Sequence, residues 1–243
     1  MEQLKWEELF RRVPHHPLLT KRRSQNDRQN AVSRQLSKFS ALLDANKCFL
    51  EIGPGDCAVS FAVAEMVRQV YAVDVNKVLT EHIQVPDNFR LIISDGVSIP
   101  VPPGSMDIAY SDQLMEHLHP EDAYEQLENV YQALAPGGVY FCDTPSRLNG
   151  PHDISRFFDD VATGFHLKEY TVGELAALFR KAGFTKVQMC TRFKGKYYRL
   201  PTFPARLLES MLQILPRDLQ KKVARWLPVR TLINVSLVGT KTL

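Results

Sequence analysis

An α/β fold is predicted, with a mainly parallel sheet of seven strands and helices on both faces. Two observations predict it. The first is alternation: strand-like runs fall near 47–52, 70–74, 89–93, 106–110, 137–143, 185–191 and 232–239, with helical patterns near 56–68, 76–83, 120–134 and 171–182. The second is the stretch Cys48–Ala58, which runs from an apolar strand through Gly53-Pro54-Gly55 into a helix that starts near Asp56. The glycines let the backbone bend tightly and admit a ligand with no Cβ in the way. The helix start offers unpaired N–H groups and a positive dipole end. The next strand, Val70–Asp74, ends in an acid that can accept from both hydroxyls of a ribose. Strand, glycine turn, helix, strand and acid make a nucleoside-binding βαβ unit. In such a sheet ligands sit at the carboxyl ends of the strands, where the strand order switches.

Taken in order, residues 1–44 read as a helical extension ahead of the main domain, 45–243. Trp6, Leu9 and Phe10 suit a short amphipathic turn that Pro14 and Pro17 interrupt, and Lys21-Arg22-Arg23 reads as a solvated basic face or as a contact for an anionic substrate or lipid. Val32, Leu36, Phe39 and Leu43 recur near a 3.6 period, which predicts a helix from Ser24 to Leu43 able to cover a pocket or pack on the sheet edge. In the core, Pro120 with Glu121 and Asp122 opens a helix, and Pro136-Gly137-Gly138 closes it. Thr171 with Glu174 three residues later is a capping box for the helix that ends at Gly183. Ser146–Tyr170 is a long segment with little periodicity, which in a compact domain marks a binding loop.

The insert at 196–229 carries one helical stripe, Leu207, Leu208, Met211, Leu212 and Leu215, broken by Pro216, and a second of Leu219, Val223, Trp226 and Leu227. Arg217, Lys221 and Arg225 stand four apart beside that second stripe. A basic amphipathic hairpin over 204–227 can lie peripherally on an anionic membrane, cap an acceptor pocket or pair two subunits as a homodimer.

The choice of cofactor turns on Glu51. Gly53, Gly55 and Ala58 also fit a nicotinamide dinucleotide site, so an oxidoreductase is an alternative. A dinucleotide site favours a small or apolar residue two places before the first glycine, whereas an acid suits a ligand carrying an ammonium group. Glu51-x-Gly53-x-Gly55, then Asp74, then Ser94-Asp95-Gly96, then Leu134-Ala135-Pro136-Gly137-Gly138 resembles the class I S-adenosylmethionine-dependent methyltransferases over roughly residues 45–195. The family often has a third glycine where this chain has Cys57. The resemblance implies a Rossmann-like domain whose last strand inserts antiparallel. It also implies S-adenosyl-L-methionine as cofactor and S-adenosyl-L-homocysteine as product.

It implies cofactor contacts at the strand ends. Gly53, Pro54 and Gly55 would pass beneath the amino-acid part, with Glu51 setting the ammonium. Asp74 would take the ribose, Val75 and Asp95 the adenine, Gly96 would add a backbone N–H, and Ser111 a backbone contact to the methionine end. On the acceptor side, Met115-Glu116-His117-Leu118 is similar to a common family segment, with His117 bordering the cofactor. His166 with Tyr170 resembles an H-x-x-x-[YF] pattern in small-molecule and glycan methyltransferases. His166, His152 and His117 are the candidates for base or acceptor contact, Arg147 and Arg156 for an anionic acceptor group, and His119 is an exposed cap.

The expected function is therefore methyl transfer to a small-molecule or glycan acceptor, at oxygen. A non-catalytic cofactor-binding or membrane-docking protein is the other rival. After the fourth strand the chain reads Ser111-Asp112-Gln113-Leu114 rather than an Asn-Pro-Pro-Tyr-like motif, which argues against amino-group methylation of bases or amides. A net charge of +3 argues neither for nor against nucleic acid, but the lack of an aromatic-interleaved basic stripe on the core makes nucleic acid a poor candidate. No tight cluster of Asp, Asn and His is evident, so no metal is expected. The four cysteines form no C-x-x-C pair and are expected to be buried free thiols in a reducing cytoplasm. No signal peptide and no apolar run of about 20 residues is seen.

Overall fold

The computed structural model describes residues 25–76 and 84–242. The expectations for the turn at Trp6–Phe10, for Lys21–Arg23 and for most of the helix near 76–83 lie outside the described residues. One sheet has the strand order β3-β2-β1-β4-β5-β8-β6-β7. Five strands run parallel: β1 (Cys48–Ile52), β2 (Gln69–Asp74), β3 (Phe89–Ile93), β4 (Met106–Asp112) and β5 (Leu134–Thr144). The order reverses between β1 and β4, so the glycine turn after β1 opens at the switch point. β8 (Val235–Thr240) lies antiparallel between β5 and β6 (Lys186–Phe193), as the resemblance implied.

The sheet has eight strands rather than seven. The extra one, β7 (Lys196–Pro201), forms a hairpin with β6 through Lys194 and Gly195, both left-handed. Lys-Tyr-Tyr-Arg-Leu-Pro is an exposed edge with two cations and a proline, so it lacks the alternation of a half-buried strand.

Helices α1 (Gln25–Leu36), α2 (Ala58–Ala64), α3 (Pro120–Ala133) and α4 (Val172–Lys181) lie near their predicted positions. The helix expected to reach Leu43 ends at Leu36, and a 3-10 turn follows at Ser40–Leu42. Between them Phe39 enters the core, its ring centroid 5.3 Å from Phe49, 5.1 Å from Tyr110 and 5.6 Å from Phe141. The capping box at α4 is present: Glu174 N–H donates to Thr171 Oγ1 at 3.1 Å, and Thr171 N–H to Glu174 Oε2 at 2.9 Å. All four cysteines are buried and free.

The insert departs from the helical hairpin expected of it. It begins with β7, continues as α5 (Phe203–Gln213) and α6 (Arg217–Arg225), and breaks at Trp226 because Pro228 opens a separate helix, α7 (Leu227–Leu232). The helices close over the 146–170 segment. Leu212, Ala224, Val229 and Ile233 bury Leu148. Glu209 of α5 accepts Val172 N–H at 2.6 Å and Gly173 N–H at 2.9 Å, satisfying the start of α4. Arg217 donates to Asp160 O at 2.9 Å, and Lys221 pairs with the Asp160 carboxylate. Two of the cations read as a membrane-facing stripe are thus turned onto the loop. The apolar residues Phe203, Leu207, Met211 and Ile214 remain exposed along α5.

Candidate functional site

The turn after β1 holds three left-handed residues, Gly53, Gly55 and Cys57, with φ of 66°, 56° and 58°. Left-handed backbone is disfavoured for a residue with a Cβ, which accounts for the glycine the family often has at Cys57. A Cβ on Gly53 would stand 3.1 Å from Leu114 Cδ1, while one on Gly55, which also lines the cleft, would meet nothing within 4 Å. That cleft is about 180 Å³, and α1 forms its other wall through Arg28, Val32 and Gln35. Three acids line it, Glu51, Asp56 and Asp112. Gln35 Nε2 donates to Asp112 Oδ2 at 2.5 Å, and Arg28 lies 3.9 Å from Asp56. A glycine cradle with an acidic wall suits a ligand bearing ammonium and sulfonium charge.

Glu51 is buried, and its Oε2 accepts Ser60 Oγ–H at 2.5 Å. Burial pushes its carboxyl up to about 8, and the bond from Ser60 only partly offsets this. The folded value lies above the ordinary 4.5, so the folded state keeps a proton the unfolded chain releases. Stability from this group is present below about 4.5 and is lost as pH rises towards 8. A cation placed against Glu51 reverses the preference. Binding of S-adenosylmethionine at pH 7 is expected to release close to one proton. Calorimetry in phosphate and in Tris should then give binding enthalpies that differ by the buffers' heats of protonation, and Glu51→Gln should erase the difference. Equal enthalpies for the unmodified protein would refute the contact.

Asp74 closes β2 beside Ile93 of β3, and its Oδ1 accepts Asn76 N–H at 2.9 Å. Val75 is exposed, with Cγ1 3.2 Å from where a Cβ on Gly96 would lie, so the ends of β2 and β3 form one surface. Asp95 is engaged in its own turn. Its Oδ1 accepts Val97 N–H at 2.9 Å and Ser98 N–H at 2.7 Å, and these bonds hold the carboxyl far below its usual range. Ser111 is buried in the ladder between Ile52 and Cys142, its hydroxyl 2.7 Å from Tyr140 Oη. The next residue, Asp112, is the one that reaches the cleft. Arg28, Gln35, Asp56 and Asp112 were not singled out from sequence. The position of Asp112 at the end of β4 was the available signal.

Two buried acids shape the 146–170 segment. Asp153 Oδ2 accepts three successive N–H groups, Gly164 at 3.0 Å, Phe165 at 2.8 Å and His166 at 3.2 Å, and Oδ1 accepts Ser155 N–H at 3.0 Å. Burial opposes its ionisation, but these bonds outweigh it and its carboxyl lies below the usual range. Glu169 Oε1 accepts His152 N–H at 2.6 Å and lies 2.8 Å from His166 Nδ1. Burial disfavours the charged ring of His166, yet the bond to Glu169 and the nearby Glu116 raise its pKa.

His117 joins this pair. Its ring is 5.0 Å from that of His166, edge to face, and its Nδ1 is 3.0 Å from Phe165 O. His152 stands differently: its Nε2 lies 2.7 Å from Asn149 Oδ1 and 3.1 Å from Ser146 O, pinning the start of the loop. Arg147 pairs with Glu174 at 2.8 Å and lines a separate cavity of about 150 Å³ with Lys168 and Arg217. Arg156 lies over the Phe157 ring at 4.8 Å and is exposed, apart from that cavity. Tyr170 is 1% exposed and belongs to the core under α4, so its spacing from His166 reflects packing rather than a pocket wall. His119 is the exposed N-cap of α3, as expected.

A methyltransferase domain profile matches residues 24–189. The chain belongs to the methyltransferase domain family, whose cofactor is S-adenosylmethionine. A Mycolicibacterium smegmatis protein named "Probable S-adenosylmethionine-dependent methyltransferase" is 29% identical over 142 residues, covering 58% of this chain and 52% of that protein. The chain thus spans about half the length of this curated relative. Among solved structures, the Haloferax volcanii protein complexed with the Trm112 methyltransferase activator is similar at TM-score 0.58 and 14% identity, over 90% of this chain and 95% of that one. Haemonchus contortus phosphoethanolamine N-methyltransferase 2, in complex with S-adenosyl-L-methionine, is similar at TM-score 0.55 and 17% identity, over 88% of this chain and 53% of that one. At these identities the likeness is one of fold. No helix among the described residues is long and apolar enough to cross a membrane.

Proposed function

We propose that this protein transfers the methyl group of S-adenosylmethionine to a small-molecule or glycan acceptor, at oxygen, and releases S-adenosylhomocysteine. The observation that carries the oxygen assignment is the pairing of His166 Nδ1 with the buried Glu169 at 2.8 Å. A hydroxyl must lose its proton as it takes a methyl, and an imidazole oriented by a carboxylate suits that task near neutral pH. The cofactor supplies a methyl already activated by its sulfonium.

The residues of the cleft do the rest. Glu51 and Asp112 receive the ammonium, and the backbone of Gly53, Pro54, Gly55 and Ser111 borders the amino-acid part. Asp74 holds the ribose hydroxyls, while Val75, Asp95 and Gly96 border the adenine. The 146–170 loop, covered by α5 and α6, orients the acceptor and excludes water, an effect worth about 7–11 kcal/mol in well-oriented systems. Arg147 would meet an anionic acceptor group at its cavity, Arg156 would do so only from the surface outside it, and Tyr170 would act from the core beneath. In this reading residues 45–243 are the catalytic domain and 1–44 its cover. The exposed stripe on α5 is then left for a second copy or a membrane surface.

The test is transfer of labelled methyl to a panel of hydroxylated small molecules and glycans beside matched amines. Transfer to amines alone would overturn the oxygen assignment. With a working acceptor, His166→Ala is expected to lower kcat by roughly 10²–10⁴-fold and to leave cofactor affinity unchanged. An unchanged kcat would remove His166 from the reaction.

A further inference from the structure

Glu116, His117 and His166 bring three donor atoms to within 4.8 Å of one another. They come from two segments tied together by backbone. Met115–His117 is a 3-10 turn just beyond β4, and Glu116 O accepts Leu167 N–H at 2.7 Å and Lys168 N–H at 3.2 Å. These two bonds tie the turn to the end of the loop.

The donors are prepared in the way metal ligands are. Ligating histidines give their second ring nitrogen to a carboxylate or a backbone carbonyl, which fixes the tautomer and aims the other nitrogen. Here Nδ1 of His166 is taken by Glu169 and Nδ1 of His117 by Phe165 O. In both rings that leaves Nε2. The third donor is out of place without an ion. Glu116 is 0% exposed, its Oε2 accepts Thr144 Oγ1–H at 2.8 Å, and its Oε1 has no hydrogen-bond partner among the described residues. A buried carboxylate oxygen with no partner is costly, and a cation would offset that cost.

We propose that Glu116, His117 and His166 bind a divalent transition-metal cation. Two imidazoles and a carboxylate favour zinc, manganese or ferrous iron over calcium or magnesium, which prefer oxygen alone. Tetrahedral bonds of about 2.1 Å place neighbouring ligand atoms about 3.4 Å apart. The cluster must close by on the order of 1 Å, and His117, the exposed member, is the one placed to shift. Three protein ligands leave a coordination position for water or a substrate oxygen, as in catalytic sites. If the acceptor carries a hydroxyl, as the proposed function has it, an oxygen bound there would lose its proton more readily. In that state His166 is a ligand, and its role as base belongs to the metal-free protein. The metal site itself does not rest on the identity of the acceptor.

The test uses the protein stripped with a chelator, with no cofactor or acceptor present, so methyl transfer does not enter. Zinc alone is titrated by calorimetry, and cobalt is followed by its visible absorption. One saturable equivalent of zinc is expected, with magnesium at least 100-fold weaker. His117→Asn and Glu116→Gln should each weaken zinc by 100-fold or more, and Glu169→Gln by roughly 10–100-fold through the orientation of His166. His119→Asn, on the surface and outside the cluster, should bind as the parent does. His117 is exposed, so its variant should fold even if the Glu116 variant does not. Absence of saturable zinc binding, or binding that His117→Asn leaves unchanged, would overturn the proposal.

Discussion

Asp74→Ala is expected to weaken S-adenosylmethionine binding by roughly 10²–10³-fold while leaving the protein folded. A carboxylate that accepts from both ribose hydroxyls makes two charge-assisted bonds, each worth about 1.5–3 kcal/mol, and a loss of 3–4 kcal/mol is two to three decades in affinity. The carboxylate is already aimed, because its Oδ1 accepts the N–H of Asn76 two residues on. Asp74→Asn keeps an oxygen for that turn and loses the charge, so it should fall between the alanine variant and the parent. The side chain is only partly buried at a strand end, and a large loss of stability is not expected. Isothermal calorimetry with S-adenosylhomocysteine, paired with a thermal melt, checks both halves. Affinity within a few-fold of the parent would mean that the ribose lies elsewhere.

Phe39→Ala is expected to destabilise the protein by about 3–5 kcal/mol, the usual range for removing a fully buried phenylalanine. In a chain of this size that lowers Tm by on the order of 10 °C. Three aromatic rings surround Phe39 at centroid distances of 5.1 to 5.6 Å, and no small movement of the sheet fills the hole. The variant should also bind cofactor more weakly, because Phe39 anchors the segment that holds α1 against the cleft. The preceding residue reinforces that anchor: the Lys38 side chain is largely buried and pairs with Asp143 near the end of β5. Phe39→Leu should recover most of the stability. A melt and a cofactor titration decide the matter, and unchanged values for the alanine variant would refute the anchoring role.

Much of the fold was legible because the parallel core obeys short-range rules. Apolar strands β1 to β5 each read as a short run, and α3 and α4 carry proline, acids, a capping box and a closing glycine at their ends. Edge strand β7 was not legible, since its exposed face gives no alternation to detect. The break at Trp226 was available in Pro228 but was outweighed by the continuous stripe around it. On the site, Glu51, Gly53 and Gly55 are neighbours in sequence and were read together. Asp112 and the α1 residues opposite them join only through the switch in strand order. The same holds for Glu116 and His117 against His166: nearly fifty residues separate them, and the loop's own acids, Asp153 and Glu169, fold them onto one another. Tyr170 shows the reverse error, in which correct spacing from His166 concealed a core residue.

β6 touches the rest of the sheet only through β8, which follows it by the whole length of the insert. During synthesis on a ribosome, β1 to β5 can assemble as they emerge, but β5 keeps an unpaired edge and the β6–β7 hairpin has nothing to join. Both edges stay unpaired until Val235–Thr240 is available to lie between them. Translation that stalls before that hexapeptide would leave two sticky borders on one nascent chain, a natural target for chaperone capture.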